Sequence, residues 1–326
     1  MTVLVTGGAG YIGSHAAKAL RRAGHDVVVY DNLSAGHRQA ALGAPLIQGD
    51  TSDSDAVRRA IRQSGAGAVM HFAAWLAVAD SVRDPAGYYR NNVIGTLGVL
   101  EAMAAERCGL FVFSSSCAVY GEPIATPIAE DHPTRPVNAY GQTKLAVEQA
   151  LPHFERGYGI RGVSLRYFNA AGADPEGELG EVHAPEIHLI PRAFEAVAGG
   201  APLDVFGQDY PTPDGTCLRD YIHVTDLAAA HVQALAHLAG GGGSTTYNVG
   251  TEVPSSVREV IAAVERVTGR RVPQRLAPRR PGDPSVLVAS AARIRRELGW
   301  VASRPALETI VSDAWRWHAS HPNGFE

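Results

Sequence analysis

Cysteine is scarce in this chain, and the few that occur are not arranged for bonding. Cys108, Cys117 and Cys217 are odd in number and lack metal-ligand spacing. No disulfide framework is expected, and a reducing compartment is favoured. His318 and His321 stand three apart but lack a third ligand, so no metal is expected. Charge of one sign is also in short supply, because 29 basic and 33 acidic residues leave a formal net charge of −4. That balance gives nucleic acid no electrostatic reason to bind. Arg270, Arg271 and Arg275 belong to the one basic cluster and read as solvated surface charge. No apolar run is long enough to cross a bilayer. A strand-like run begins at Thr2 and leaves no room for a basic, apolar leader. No membrane association is therefore expected, and the placement is cytoplasmic.

What the chain does have is 326 residues, 45% of them hydrophobic, enough for a sizeable core in one large or two modest domains. The run Thr2-Val3-Leu4-Val5-Thr6 leads into Gly7-Gly8-Ala9-Gly10-Tyr11-Ile12-Gly13 and then a helical pattern that stops at Gly24. Gly8, Gly10 and Gly13 satisfy the dinucleotide spacing between a strand and a helix. Glycines are needed there because a tight turn and a close approach of backbone to pyrophosphate leave no space for Cβ. The helix N-terminus adds unpaired amides and a positive dipole end. The next strand, Val27-Val28-Val29-Tyr30-Asp31, ends in a carboxylate. Such an acid accepts the hydroxyls of the adenosine ribose and repels a 2′-phosphate, which favours NAD over NADP.

Strand and helix patterns continue to alternate. Strands are expected at 45–48, 68–72 and 110–113, a helix at 54–63, and a long helix at 85–107 with Tyr89, Val93, Leu97 and Leu100 on one stripe. The fold class is therefore α/β, a doubly wound parallel sheet of the Rossmann type, followed by a smaller mixed α/β C-terminal lobe. A Gly-, Pro- and Glu-rich loop at 173–185 divides the two, giving a nucleotide domain at 1–172 and a substrate lobe at 173–326, with some segments of the second half returning to the first. Helices are expected at 186–198, 224–238 and 256–268, the last with a capping box of Ser256 and Glu259 and a stop at Gly269. Gly240 to Gly243 read as a plain turn. Asp31, Asp50, Phe72-Ala73-Ala74 and Ser116 all fall at the carboxyl ends of strands, where ligands of such sheets bind. Beyond them, Tyr140-Gly141-Gln142-Thr143-Lys144 places a phenol and an ammonium on one helix face, so the ammonium is expected to lower the phenol's pKa.

Ser116 with Tyr140 and Lys144, after the glycine turn, resembles the extended short-chain dehydrogenase/reductase family. Within it the chain is similar to the enzymes that epimerise UDP-sugars at C4. The likeness runs almost end to end: His71-Phe72-Ala73-Ala74, Asn91-Asn92-Val93, Phe113-Ser114-Ser115-Ser116, Leu165-Arg166-Tyr167-Phe168-Asn169, Phe206-Gly207-Gln208-Asp209-Tyr210-Pro211-Thr212, Arg219-Asp220-Tyr221-Ile222-His223-Val224 and Ala277-Pro278-Arg279-Arg280-Pro281-Gly282-Asp283.

The resemblance implies an isomerase that keeps NAD and interconverts UDP-glucose and UDP-galactose. Ser116, Tyr140 and Lys144 would be catalytic. Gly7, Gly10, Tyr11, Ile12, Gly13, Asp31, Asn32, Asp50, Thr51, Phe72, Ala73, Ala74, Asn91, Ser114 and Phe168 would hold the cofactor together with Tyr140 and Lys144. For the UDP-sugar it implies Arg219 and Arg280 at the phosphates, Asp283 at the uridine ribose, Asn169 at the diphosphate or sugar, Phe206 in the uracil region, and Val205 as a further substrate-binding residue. His188 and Ser116 complete that set. It also implies a homodimer built on the 85–107 segment and the helix from Tyr140. Leu76 replaces a lysine of some relatives, Ile187-His188 replaces paired asparagines, and Leu287 stands where residue size governs N-acetyl sugars. A 4-epimerase of UDP-N-acetylglucosamine or of a UDP-pentose is therefore the alternative, and a non-catalytic NAD-dependent sensor a further one. Dehydrating and decarboxylating relatives place acids directly after the serine position, whereas Cys117 and Ala118 follow it here.

Overall fold

A computed structural model describes residues 1–280 and 283–325. Pro281 and Gly282 of the Ala277-to-Asp283 motif lie outside the described residues. The first half winds β1 (Thr2–Thr6), α1 (Tyr11–Arg22), β2 (Asp26–Asp31), β3 (Leu46–Gln48), α2 (Ser54–Ser64), β4 (Ala68–His71), α3 (Val78–Arg83), α4 (Pro85–Tyr88), α5 (Gly95–Ala105), β5 (Leu110–Ser116), α6 (Ala139–Tyr158) and β6 (Arg161–Tyr167). The second half adds β7 (Asn169–Ala171), α7 (Leu189–Val197), β8 (Leu203–Phe206), β9 (Leu218–His223), α8 (Val224–Ala239), β10 (Thr245–Val249), β11 (Pro254–Ser256), α9 (Val257–Thr268), β12 (Gln274–Ala277), β13 (Val286–Leu287), α10 (Ala292–Leu298) and α11 (Leu307–Ser320).

Seven strands form one parallel sheet in the order β10-β6-β5-β4-β1-β2-β3. Its order reverses at β1, which opens a crevice between the carboxyl ends of β1 and β4, where such sheets take their ligands. The inner strands are nearly continuous apolar runs because both faces are covered. On one face Ala16, Ala17 and Leu20 of α1 meet Leu227, Ala234 and Leu235 of α8 over Val3, Val5 and Val29. On the other, Val57 and Ile61 of α2 and Val99, Leu100 and Met103 of α5 pack over Leu4, Val69 and Phe111. The smaller lobe has its own core, in which α7, α9 and α11 contribute Phe194, Val260 and Ile310. β9 pairs with β7, β11 and β13, and β8 pairs with β12. The capping box is present, with Ser256 Oγ accepting from the Glu259 amide and Gly269 closing α9 in the left-handed region.

The 85–107 segment departs from a simple helical stripe. Between α4 and α5 the backbone takes a π turn at Tyr89–Ile94. A π turn carries an extra residue and shifts the phase of everything beyond it. Asn92, Thr96, Val99 and Met103 face inward as a result, while Tyr89 is 40% exposed. Of the expected stripe Leu100 is buried, and Val93 and Leu97 are partly covered. The turn is held by Asn92, whose side chain accepts from the Trp75 amide at 2.8 Å and donates to the Trp75 carbonyl at 3.0 Å.

Candidate active site

One cavity of about 500 Å³ runs from the glycine turn, past the carboxyl ends of the central strands, to the edge of the smaller lobe. At its first end the three glycines of the turn do different things. Gly7 has φ of +70°, and a Cβ there would lie 2.5 Å from the Ala73 amide nitrogen. A Cβ on Gly13 would meet the Gly7 carbonyl oxygen at 2.2 Å, so Gly13 lets α1 start against the turn. Gly10 has only the Gly7 oxygen at 3.4 Å and otherwise borders the cavity, which leaves room for a ligand to approach the backbone. Gly8, included in the sequence spacing, points instead at Val5 and Val29. It is a packing residue, and Gly7 takes its place on the cavity wall. The helix N-terminus at Gly10 carries no side-chain cap and no acid in its first turn. Its amides are free for an anion.

Asp31 ends β2 beside this turn. One carboxylate oxygen accepts the Ala9 amide at 3.0 Å and the other the Leu33 amide at 2.8 Å. Each oxygen keeps a lone pair for a hydroxyl, and Asp31 borders the cavity. An open glycine face, free helix amides and an acceptor pair at the end of β2 together fit a dinucleotide such as NAD. Tyr11, Ile12, Asn32, Thr51, Phe72, Ala73, Ala74, Asn91, Ser114 and Phe168 lie on the same wall. Asp50 does not. Its carboxylate accepts from the Ser52 amide at 2.8 Å and from Asn32 at 2.7 Å, so it shapes the loop behind Asn32.

Ser116, Tyr140 and Lys144 meet midway along the cavity. Ser116 closes β5, and its Oγ accepts the Ala118 amide at 3.2 Å. Asn138 caps α6 by accepting from the Gly141 amide at 2.8 Å, which starts the helix just before Tyr140. Lys144, one helical turn on, is 3% exposed and donates to the Ser114 carbonyl at 2.7 Å. The expected lowering of the phenol does not occur in the protein alone. Burial pushes Tyr140 up to about 12, opposed by a bond with the Ser116 hydroxyl. Burial also draws Lys144 down to about 7, against the pull of Glu148. Desolvation of each charged form dominates at both groups. Beneath them Glu148 accepts from Arg166 Nε at 2.9 Å and also bonds Ser115, joining α6 to β5 and β6. Beside Ser116 sits Cys117, whose thiol burial raises to about 11.

At the far end Asn169, His188, Asp283, Pro284 and Leu287 border the cavity, and Leu76 lies on its rim. Arg219 and Asp283 form an ion pair, so the two stand together although 64 residues apart in sequence. Arg280 is exposed, with its guanidinium 3.9 Å over the Phe206 ring. Arg219, Arg280 and Phe206 are not part of the cavity wall, and Arg219 adjoins it through Asp283. Val205 is 1% exposed and packs in the core of the smaller lobe, because β8 alternates and turns that side chain inward. Its side chain is therefore not a cavity residue.

Sequence reasoning passed over Glu181, His183 and Glu186. The structure brings them together with His188, with ligand atoms within 4.8 Å of one another. Burial lowers both imidazoles, but Glu181 and Glu186 outweigh it and raise them, and the imidazoles in turn hold both carboxylates low against burial. The signal was the alternation Glu181-x-His183 and Glu186-x-His188 in one loop. Tyr221 and Asn138 also reach the cavity without an earlier assignment.

A family model described as the NAD dependent epimerase/dehydratase family matches residues 3–250. A UDP-glucose 4-epimerase of Halalkalibacterium halodurans is 47% identical over 326 residues, 100% of this chain and 98% of that protein. Another, of Azospirillum brasilense, is 51% identical over 320 residues, 98% of this chain and 92% of that protein. The crystal structure of a UDP-glucose 4-epimerase from Brucella ovis in complex with NAD matches with a TM-score of 0.94 at 49% identity, covering 97% of this chain and 98% of that one.

Proposed function

The chain belongs to the NAD dependent epimerase/dehydratase family, and from that membership we propose that it interconverts UDP-glucose and UDP-galactose by transient oxidation at sugar C4. The observation that carries this reading is the meeting of Ser116, Tyr140 and Lys144 on one wall with Cys117 and Ala118 beside them. Dehydration needs an extra acid or base after the serine position, and none is supplied there. Epimerisation needs only a proton acceptor that can return what it takes.

Bound NAD supplies a reversible hydride acceptor and a positive ring charge. The chain's own part is to hold the sugar and move one proton. Tyr140 Oη takes the proton of the 4-hydroxyl and gives it back once the ring has presented its other face. Ser116 Oγ, on the same cavity wall as the phenol, steadies the same sugar oxygen and shortens the proton's path. Lys144 stays anchored on Ser114 and offers its remaining donors toward the cavity. A phenol that burial holds near 12 releases its proton only when positive charge enters the cavity. Asp31 excludes a 2′-phosphate by charge. Asn169, His188, Asp283 and the nearby Arg219 and Arg280 offer polar partners to a nucleoside diphosphate.

Purified protein assayed with UDP-galactose tests the reading, and turnover is expected. Tyr140→Phe should lower the rate by about 10²–10⁴-fold with the fold intact. A variant that keeps near the original rate would overturn the assignment of Tyr140. Turnover of N-acetylated or pentose UDP-sugars without UDP-galactose would move the assignment to the alternative.

We also infer a homodimer through the π turn, α5 and α6. Tyr89, Ile94 and Tyr158 are 40%, 59% and 66% exposed on these elements, which supports an apolar partner face. A light-scattering mass of one chain at micromolar concentration would sink it. All three thiols are unpaired, and no helix among the described residues is long and apolar enough to cross a membrane. Both support a cytoplasmic enzyme.

A further inference from the structure

We propose that Glu181, His183, Glu186 and His188 form a binding site for one divalent transition-metal ion of the zinc class. The four residues fall within one short loop that leads into α7. Their ligand atoms converge. Glu181 Oε1 lies 2.7 Å from His188 Nδ1 and 3.3 Å from His183 Nδ1. Glu186 closes the set, with one oxygen 3.2 Å from His188 Nδ1 and the other 3.6 Å from His183 Nδ1. Four N and O ligands at zinc bond lengths of roughly 2.0–2.1 Å stand about 3.3 Å apart in a tetrahedron. The four separations quoted, 2.7 to 3.6 Å, bracket that edge, those to Glu186 being from its two different oxygens, and all four ligand atoms lie within 4.8 Å of one another.

Paired protons alone are a poorer account of the same atoms. A charged imidazole aims its N–H at a carboxylate oxygen, yet His183 Nδ1 is buried and hydrogen-bonds to neither of its two oxygen neighbours. Glu181 Oε1 is likewise buried with no hydrogen-bond partner, although its side chain is only 8% exposed. Glu186 Oε1 is already held, by the Ile187 and His188 amides at 2.7 and 2.8 Å and by His188 Nδ1 at 3.2 Å, so the two unpartnered atoms, Glu181 Oε1 and His183 Nδ1, are the ones a metal ion would satisfy. Among the described residues no ammonium or guanidinium pairs with Glu181 or Glu186. The second acidic group, Asp174 with Glu176 and Glu178, shows the contrast. There Lys18 Nζ sits among the carboxylates, 2.6 Å from Asp174 and 2.9 Å from Glu176. That group already has its cation.

Four protein ligands leave no open position, so the ion would be structural and would take no part in the chemistry. It would fasten the loop between the lobes to the start of α7. It would also brace the glycine turn, because the His183 ring meets Tyr11 edge-on at 6.5 Å. Imidazole ligands favour zinc over magnesium. The site shares His188 with the substrate contacts proposed above, so its test reads metal content and melting rather than turnover.

Full-length protein is stripped with a chelator, re-equilibrated with zinc or magnesium, dialysed and measured by elemental analysis and isothermal titration. Wild type is expected to retain about one zinc per chain, and His183→Asn and Glu181→Gln less than about a fifth of that. The zinc-loaded wild type should melt at a higher temperature than the stripped protein, and the variants should not. Glu176→Gln/Glu178→Gln is expected to keep the full zinc content. Should the buried changes prevent folding, His188→Asn replaces them, since that side chain is 40% exposed. Wild type holding no more zinc than His188→Asn overturns the proposal, as does zinc loss in the Glu176/Glu178 variant alone.

Discussion

Lys144 Nζ is bonded to the carbonyl oxygen of Ser114 at 2.7 Å and stands 5.8 Å from the ring centre of Tyr140. The lysine is therefore seated by β5 first and addresses the tyrosine across a gap. Its pKa, drawn down to about 7 by burial against the pull of Glu148, makes a sign prediction. Unfolded lysine titrates near about 10.4, so between the two values the unfolded chain binds more protons than the folded one. Stability contributed through Lys144 must rise with pH across that window, by up to about 1.4 kcal/mol per unit, and the burial cost is greatest below it. Denaturant unfolding of ligand-stripped wild type and Lys144→Met at roughly pH 7, 8 and 9 should show the wild type gaining on the variant. Parallel curves would refute it.

Glu148 and Arg166 carry side chains only 6% and 8% exposed. Removing one charge of a buried pair leaves the other uncompensated, at a cost of about 3–5 kcal/mol. Glu148→Gln should lose that much in urea unfolding. The same change removes an upward pull on Lys144 and should shift the pH profile of any reaction that uses it. A loss below about 1 kcal/mol would mean that Tyr120, whose hydroxyl accepts from Arg166 Nη1 at 2.9 Å, compensates for the missing charge.

The glycine turn separates two roles by one methyl group. Gly13→Ala puts Cβ 2.2 Å from the Gly7 oxygen and should cost about 1–3 kcal/mol in stability. Gly10→Ala meets nothing closer than 3.4 Å, so it should melt near wild type yet retain less NAD after gel filtration. Measuring melting temperature and released NAD on both variants checks this. Equal NAD content in Gly10→Ala and wild type would remove Gly10 from the cofactor face.

Leu287 is half-buried at the far end of the cavity. Leu287→Tyr should shrink the sugar pocket and lower kcat/KM for N-acetylated UDP-sugars by about tenfold or more, with UDP-galactose little affected. Loss of both substrates alike would point to damage elsewhere in the pocket.

The parallel sheet was legible because β-branched runs such as Val27-Val28-Val29 alternate with amphipathic helices, and the capping box at Ser256 marked the start of α9. The π turn was not, since nothing in a helical period announces an added residue; its cause is the long-range bond of Asn92 to Trp75. Gly8 satisfies the dinucleotide spacing, but spacing cannot say which side of a turn faces the cavity, and Gly8 packs on Val5 and Val29. Burial likewise decided Tyr140, whose helix position predicts a neighbour but not the loss of solvent around it. The Glu181 loop repeats Glu-x-His twice, but it belongs to no helix or strand, and only its folding back beside Tyr11 makes its acids and histidines neighbours.

Asp220, fully buried in β9, accepts from Thr251 N at 2.8 Å, Thr251 Oγ1 at 2.7 Å, Glu252 N at 3.1 Å and Ala289 N at 3.2 Å. One carboxylate thereby rivets the strand of the small sheet to the chain leaving β10 of the large one. The lobes cannot swing apart without breaking this rivet, so small molecules must come and go through the rim between them. The glycine turn is at the cavity end away from Asp283 and Leu287, so exchange of bound NAD for labelled NAD should lag far behind turnover. Asp220→Asn, which weakens the rivet, should quicken that exchange.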